Sequence, residues 1–389
     1  MRELLYTCGC IALFFSCKNE QSTTTITTPS PTKKEVITEA PKHYLHLKGT
    51  IKNLPITMDL NYYMSPESIS SEVTKGYYAG SYYYNKYQEP IEILQAKDSA
   101  GVLTLTEKYS YDEDNRFVGK FDGNTFSGNW FDGYRKFSFP FELTIVEDDV
   151  IAFDYYSYSD TYLFDKTDEE SPLAQFSLSA LWPKDYKYPE ATAFLKREIM
   201  KIIALDTTLQ DAVTPEEYFN LAKANYFKVY QKDMQQYDYG VTNYGRDVDL
   251  AVVWNADDML SIGAMNYENT SGAHGNYGTT YHVLDVKSLT VLTEKDLFNP
   301  NFERTIAAAL LKSAERTFDS DMNDYKPIDA INRKELKPNG NFFVTGGGIG
   351  YNFVPYEIAS YALGEIQLFL PKNEVMEVLQ PKFIERMGW

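Results

Sequence analysis

Residues 341–353 read Asn-Phe-Phe-Val-Thr-Gly-Gly-Gly-Ile-Gly-Tyr-Asn-Phe. Two apolar runs, 341–345 and 349–353, flank three glycines, which is the pattern of a hairpin closed by a glycine turn. Pro338-Asn339-Gly340 makes another turn just before it. A further strand is expected at 364–370 and a short helix at 372–379. Upstream, Ile306, Leu310 and Ala314 recur every four residues and predict a helix over 302–318, with Asn301 available as its cap. Thr214-Pro215-Glu216-Glu217 is a helix start: a hydroxyl cap, proline at the first position and acids in the first turn. That helix runs to about residue 234. Phe194, Ile199, Ile202 and Ile203 place one more at 189–209. Strands are predicted at 248–253, 260–267 and 279–285. In the first of these Val248, Leu250 and Val252 share a side. Helices flanking a mainly antiparallel sheet make residues 172–389 an α+β domain.

Residues 44–165 follow a period of two. Phe137, Phe139, Phe141, Leu143 and Ile145 line one side of a strand, and the pattern returns at Leu103 and Leu105, at Phe117 and Phe121, and at Phe126 and Trp130. Asp122-Gly123-Asn124 and Asp132-Gly133 are hairpin turns. This is a β-rich antiparallel domain, a meander with a tendency to curl toward a small barrel. Pro140 interrupts its ladder and predicts an edge or a bulge. In Gly76-Tyr77-Tyr78-Ala79-Gly80-Ser81-Tyr82-Tyr83-Tyr84, rings fall on both faces of one strand. Tyr82 and Tyr84 are therefore candidates for a recognition surface, against the alternative that a twisted sheet simply buries them.

The start of the chain is an address. Residues 1–17 read Met-Arg-Glu-Leu-Leu-Tyr-Thr-Cys-Gly-Cys-Ile-Ala-Leu-Phe-Phe-Ser-Cys. The apolar run is shorter than the roughly 20 residues that span a bilayer and reads as an export signal. Its end, Ser16-Cys17, resembles the lipobox of bacterial lipoproteins, which implies lipidation (palmitate included) at Cys17; a plain secretory leader is the alternative. The three cysteines are Cys8, Cys10 and Cys17, so none is left for a disulfide or a thiolate metal site. Residues 18–43 form a tether, with nine Ser or Thr between positions 21 and 40. Its start is similar to sequences that direct Bacteroidetes-type lipoproteins to the outer membrane, with the periplasmic and the surface face both open.

Composition bounds the partners. The chain has 389 residues, 43% of them hydrophobic, which excludes a wholly disordered protein. Its 55 acidic and 37 basic side chains give a net charge of -18. Nonspecific nucleic-acid binding needs the opposite balance. A basic partner fits better.

Several short motifs in the second domain carry a resemblance. They are Ser271-Gly272-Ala273-His274-Gly275, then Tyr281-His282-Val283-Leu284-Asp285, Leu289-Thr290-Val291-Leu292-Thr293, Asp296-Leu297-Phe298, Phe342-Phe343-Val344, Ile349-Gly350-Tyr351-Asn352-Phe353 and Pro355-Tyr356-Glu357-Ile358-Ala359-Ser360-Tyr361. In order and spacing they resemble the DUF3298 or RsiV-like family over about 240–375. The resemblance implies the fold and a habit of binding a wall-related protein such as lysozyme. It does not bring anti-sigma or deacetylase activity, because the segments that carry those activities in the family have no counterpart here.

The motifs also supply candidate binding residues: Gly272, His274, Gly275, Tyr281, Tyr356 and Glu357. For His274 three readings stand: a ring that bonds the backbone of a glycine loop, a ligand contact, or a catalytic base. No HExxH spacing, nucleophile elbow, phosphate loop or EF-hand is present, so no catalytic residue, metal or cofactor is assigned. Tyr356 and Glu357 read as a packed ring beside a hydrogen-bonding acid. The sequence as a whole reads as a lipid-anchored envelope binding protein whose partner is a basic protein or peptidoglycan. The alternatives are a wall hydrolase with a site near His274 and a structural lipoprotein.

Overall fold

The computed structural model describes residues 43–63, 77–99, 101–107, 115–133, 136–148, 150–168, 170–204, 212–236, 243–272, 274–318 and 327–389. The leader, Cys17 and most of the tether lie outside these residues, as do Ala273, Asp321 and Asp324. No helix among the described residues is long and apolar enough to cross a membrane.

Eight antiparallel strands close into a barrel: β1 (Tyr44–Ile51), β2 (Leu54–Tyr63), β3 (Tyr77–Tyr84), β4 (Ile91–Ser99), β5 (Val102–Glu107), β6 (Arg116–Asp122), β7 (Thr125–Phe131) and β8 (Ser138–Ile145). Closure comes from β8 pairing back onto β1, Leu47 opposite Ile145 through Ile51 opposite Phe141. The meander read from the sequence is thus complete, and it has no edge. Pro140 is not at an edge either. Its carbonyl accepts from Lys52 N–H at 3.0 Å, just beyond the β1–β8 ladder, so its missing N–H falls where β1 has already turned. Glycine lets the strands coil this tightly: a Cβ on Gly49 would stand 1.9 Å from the Glu142 carbonyl oxygen. Inward residues fill the barrel, with Leu47, Ile56, Met58, Tyr82, Phe117 and Phe126 fully buried. Each such side chain contributes about 1.5–3 kcal/mol by leaving water.

Next come β9 (Phe153–Leu163), β10 (Leu173–Pro183), α1 (Pro189–Ile203), α2 (Pro215–Gln236), β11 (Tyr244–Ala256), β12 (Met259–Thr270), β13 (Asn276–Asp285) and β14 (Thr290–Leu292). They form a six-stranded sheet in the order β14-β13-β12-β11-β10-β9. The β10–β11 pair is parallel, as a crossover through two helices requires; the rest are antiparallel. Strand β9 corrects the boundary at 165. It pairs along its whole length with β10, so it belongs to this sheet and not to the barrel. Its alternating tyrosines are indistinguishable, in sequence, from those of a barrel strand.

Helix α1 is shorter than expected: its last helical residue is Ile203. Helix α2 starts as predicted. Glu217 N–H donates to Thr214 Oγ1 at 3.2 Å, and the Glu217 carboxylate accepts from Val213 N–H at 2.9 Å. Both helices cover one face of the sheet, where Phe194, Leu195, Tyr218 and Tyr226 join Phe176, Leu178, Val248, Leu250 and Ile262 in one buried cluster.

The chain ends with α3 (Glu294–Leu297), α4 (Glu303–Phe318), β15 (Phe342–Thr345), β16 (Gly348–Phe353), β17 (Ile366–Pro371), α5 (Lys372–Val375) and α6 (Pro381–Met387). Asn301 does not take the capping conformation ahead of α4; its φ is 68°, left-handed. Strands β15, β16 and β17 form a small sheet against part of the second face of the large one, where Ser261 Oγ donates to the Val344 carbonyl at 2.7 Å. The glycine turn between β15 and β16 abuts the barrel: a Cβ on Gly347 would lie 2.5 Å from the Gln88 carbonyl oxygen. Tyr83 of β3 meets Trp254 of β11 at 4.8 Å between ring centroids.

Candidate functional site

One face of the six-stranded sheet is taken by α1 and α2. On the other face, residues stand in two rows that cross the strands in register. The first is Tyr277, Tyr267, Asp247, Ser177 and Ser159, and the second is Thr279, Met265, Asp249, Ser179 and Ser157. The alternation of β11 explains the acids. Val248 and Leu250 point into the helix-covered core, so Asp247 and Asp249 must point the other way. Neither acid has an ion-pair partner among the described residues. Ser177 and Ser179, directly across on β10, supply hydrogen bonds. Burial pushes the Asp249 carboxyl up to about 6, against the Ser179 hydrogen bond and with help from the charge of Asp247. Asp247 is raised too, again through burial first.

Tyrosines rim this face. Burial raises the hydroxyls of Tyr63 and Tyr77, and the nearby charge of Asp249 raises them further. Both belong to the barrel, so the barrel forms one border. The other border is the β12–β13 turn with the segment after β16. There His274 is exposed and stacks on Tyr361 with 4.1 Å between ring centroids. His274 Nε2 and the Tyr356 hydroxyl are 3.2 Å apart, and His274 Nδ1 lies 2.8 Å from the Gly275 carbonyl oxygen. The Tyr361 hydroxyl donates to that same carbonyl at 2.8 Å. Gly275 is buried under the Tyr267 ring, where a Cβ would come within 2.4 Å of it. Gly272 sits at the exposed tip of the turn.

The residues named from sequence therefore separate into groups. His274, Gly275 and Tyr356 come together, with Gly272 beside them. Tyr356 is not a packed ring: it is 61% exposed, on a left-handed backbone with φ 73°. Glu357 is the hydrogen-bonding acid expected. Its carboxylate accepts from Val354 N–H at 3.0 Å and from Asn339 Nδ2 at 2.8 Å, which fixes the turn that presents Tyr356. Tyr281 packs between layers. Its ring meets Phe343 at 5.0 Å and its hydroxyl accepts from Gln367 Nε2 at 2.6 Å.

Tyr82 and Tyr84 are elsewhere. Tyr82 is 1% exposed inside the barrel, donating to Glu107 Oε1 at 2.6 Å, and Tyr84 packs beside it. For Tyr82 a recognition role is corrected to a core role, while Tyr84 is half-buried against the same barrel core. The residues that sequence reasoning passed over are Asp247, Asp249 and Tyr361. The Asp-Val-Asp alternation signals a polar strand face, but nothing local says what lies alongside.

Chemically the face suits contact with a cationic, partly apolar surface. Carboxylates lacking a cation accept Lys or Arg, and tyrosine rings stack on guanidinium and on aliphatic stems. Among the described residues, the hydrogen-bond partners of His274 are a carbonyl and a phenol, and neither is the carboxylate that orients a base. No group of three or more His, Cys, Asp or Glu side chains among the described residues is arranged to hold a metal ion.

Comparison with known proteins gives a match over part of the chain. Residues 295–373 match the model of DUF3298, a protein family of unknown function. The matched stretch contains Tyr356, Glu357 and Tyr361 and is narrower than the 240–375 resemblance. No curated protein matches the chain. Among solved structures, a DUF3298 family member from Bacteroides fragilis aligns with a TM-score of 0.49 and 18% identity, over 62% of this chain and 99% of its own. A DUF3298 family protein from Pseudomonas aeruginosa aligns with a TM-score of 0.36 and 15% identity, over 59% of this chain and 95% of its own. Residues 295–373 are thus similar to the DUF3298 family, whose function is unknown.

Proposed function

We propose that this chain is a lipid-anchored cell-envelope binding protein that captures a basic protein on the acid-and-tyrosine face of its central sheet. The observation behind this reading is the pair Asp247 and Asp249. They stand two residues apart and half-buried on the face that the helices leave uncovered, without an ion-pair partner among the described residues and with tyrosines on both borders. A docking Lys or Arg would stabilise the ionised form of both carboxylates, which burial otherwise disfavours. The net charge of -18 steers a basic partner toward the surface before contact.

Calorimetric titration of the full-length chain with a basic lysozyme tests the reading. Saturable one-to-one binding is expected, weaker at moderate than at low salt, and at least tenfold weaker in Asp247→Asn/Asp249→Asn. Saturable binding of soluble peptidoglycan fragments without lysozyme binding would move the function to glycan recognition. The anchor is tested separately: palmitate labelling is expected in the wild type and lost in Cys17→Ser.

A further inference from the structure

A second polar site lies away from that face, around the tight turn Asp257-Asp258 that joins β11 to β12. Both turn residues are left-handed, with φ 54° and 59°. Arg386 of α6 grips the turn: its Nη2 donates to the carbonyls of Asp257 and Asp258 at 2.9 and 3.1 Å. The same guanidinium holds Asp285 Oδ1 through Nε at 3.0 Å and Nη2 at 2.8 Å. On the other side, Asp258 Oδ1 accepts from Lys187 Nζ and from the Tyr186 hydroxyl, each at 2.6 Å. These bonds hold two cations in fixed positions.

Beside the turn opens a cleft of about 460 Å³. Lys48 reaches it from barrel strand β1, and Lys287 from the segment after β13, joining Lys187 and Arg386. The ammonium groups of Lys48 and Lys287 make no hydrogen bond or ion pair among the described residues. Four cations from four separate elements thus converge on one cleft, in a chain whose acids outnumber its bases by 55 to 37. They prevail there even after Asp257, Asp258 and Asp285 are counted. Val150 and Ala256 are the apolar lining, too little for a greasy ligand. The volume falls in the small-molecule range of roughly 300–1,000 Å³.

We propose that this cleft binds a small polyanion: a compact molecule with two or more phosphate or carboxylate groups. Lys187 and Arg386 line the cleft in positions set by their bonds, and Lys48 and Lys287, without a partner among the described residues, supply the charge that the ligand neutralises. Because Lys48 belongs to the barrel and the other three to the α+β part, the bound anion bridges the two. Ligand binding therefore raises the unfolding temperature by mass action.

The test is calorimetry on the full-length chain with pyrophosphate and with citrate, with acetate at matched ionic strength as the control. Saturable one-to-one binding of either probe is expected, and which of them binds tells phosphate from carboxylate recognition. Lys48→Gln/Lys287→Gln should weaken it at least tenfold, while Lys120→Gln/Lys228→Gln, at exposed positions elsewhere, should leave it unchanged. The thermal midpoint should rise with the bound probe in the wild type and not in the Lys48/Lys287 variant. Should that double variant unfold more readily without ligand, the single Lys287→Ala change takes its place. Failure of both probes to saturate, or equal affinity in the variant and the wild type, would overturn the proposal.

Discussion

Asn61 on barrel strand β2 stands in for a missing β-strand beside Val252. Its Nδ2 donates to the Val252 carbonyl at 2.9 Å, and its Oδ1 accepts from Val252 N–H at 2.8 Å. The β10–β11 ladder stops at Ser179 opposite Asp249, so the edge of β11 beyond that point lacks its neighbour. One asparagine amide repeats the donor and acceptor pattern of a backbone. Asn255 does the same in the opposite direction, holding both backbone groups of Ile151 at 3.0 and 2.8 Å. The barrel and the central sheet are thereby joined through main-chain bonding as well as packing.

Replacing Asn61 by Ala strands a buried N–H and a buried C=O at Val252. Each costs about 1–3 kcal/mol when left without a partner. Some relaxation toward water brings the expected loss to about 2–4 kcal/mol, measured by urea unfolding. Amide exchange at Val252 should speed up with it. An unchanged Val252 amide would mean that another group protects it.

Much of the α+β part was legible because its signals are local. The alternation of Val248, Leu250 and Val252, the Thr214 cap and the glycine turn each sit within a few residues, and the structure has strands, a helix start and a hairpin at those places. Barrel closure has no local signal, since it rests on Leu47 meeting Ile145 across nearly the whole domain. The same limit hid the site. Asp247 lies beside Ser177 only because two helices carry the chain from β10 to a parallel β11. His274 lies beside Tyr356, 82 residues later, only once the small sheet is in place.

Inside the barrel, Glu107 is a buried carboxylate whose partners among the described residues are all neutral. It accepts from the Tyr82 hydroxyl at 2.6 Å, Trp130 Nε1 at 3.0 Å and Asn115 Nδ2 at 2.8 Å. These three donors satisfy the buried carboxylate. Glu107→Ala leaves them stranded in the wall and is expected to cost about 3–5 kcal/mol. Tyr82→Phe removes a single charge-assisted bond and should cost about 1.5–3 kcal/mol. Denaturant unfolding of the two variants checks the order. Equal losses would mean that the phenol, and not the network, carries the stability.

Asp249 gives a pH signature with a definite sign. Its carboxyl is raised from an ordinary 3.8 to about 6 in the fold, so between these values the native state binds the proton more tightly than the unfolded chain does. Stability from this group therefore falls as pH rises from about 4 to about 6, and the penalty is complete above that. Asp249→Asn removes the penalty. The variant should match the wild type near pH 4 and exceed it by about 1–3 kcal/mol at pH 7, from roughly two units at 1.36 kcal/mol each less solvent screening. Thermal or urea unfolding across pH 4–7 decides it; parallel curves would remove Asp249 as the cause. Binding of a basic partner should weaken in the same variant, the trade expected of an acid kept for function.

Gly347 tests how the barrel is held to the small sheet. A Cβ there would meet the carbonyl oxygens of Gln88 and Tyr87 at 2.5 and 2.6 Å. Both are main-chain atoms, so no side-chain rotation relieves the clash. The contact is also bonded: Thr345 Oγ1 donates to the Gln88 carbonyl at 3.0 Å and accepts from Gly347 N–H at 3.1 Å. Gly347→Ala should therefore push the β3–β4 turn away from the β15–β16 hairpin, at a cost of about 1–3 kcal/mol. Gly123→Ala is the comparison. Gly123 has open space around it but a φ of 56°, so the change there costs about 1 kcal/mol through backbone strain alone. Both variants lose stability, and the Val252 amide tells them apart. A displaced barrel loosens the Asn61 bridge, so Val252 exchange should quicken in Gly347→Ala beyond what its global stability loss explains. In Gly123→Ala it should follow global stability alone. If Val252 exchange tracks global stability in both, the glycine turn shapes its own hairpin and does not hold the barrel in place.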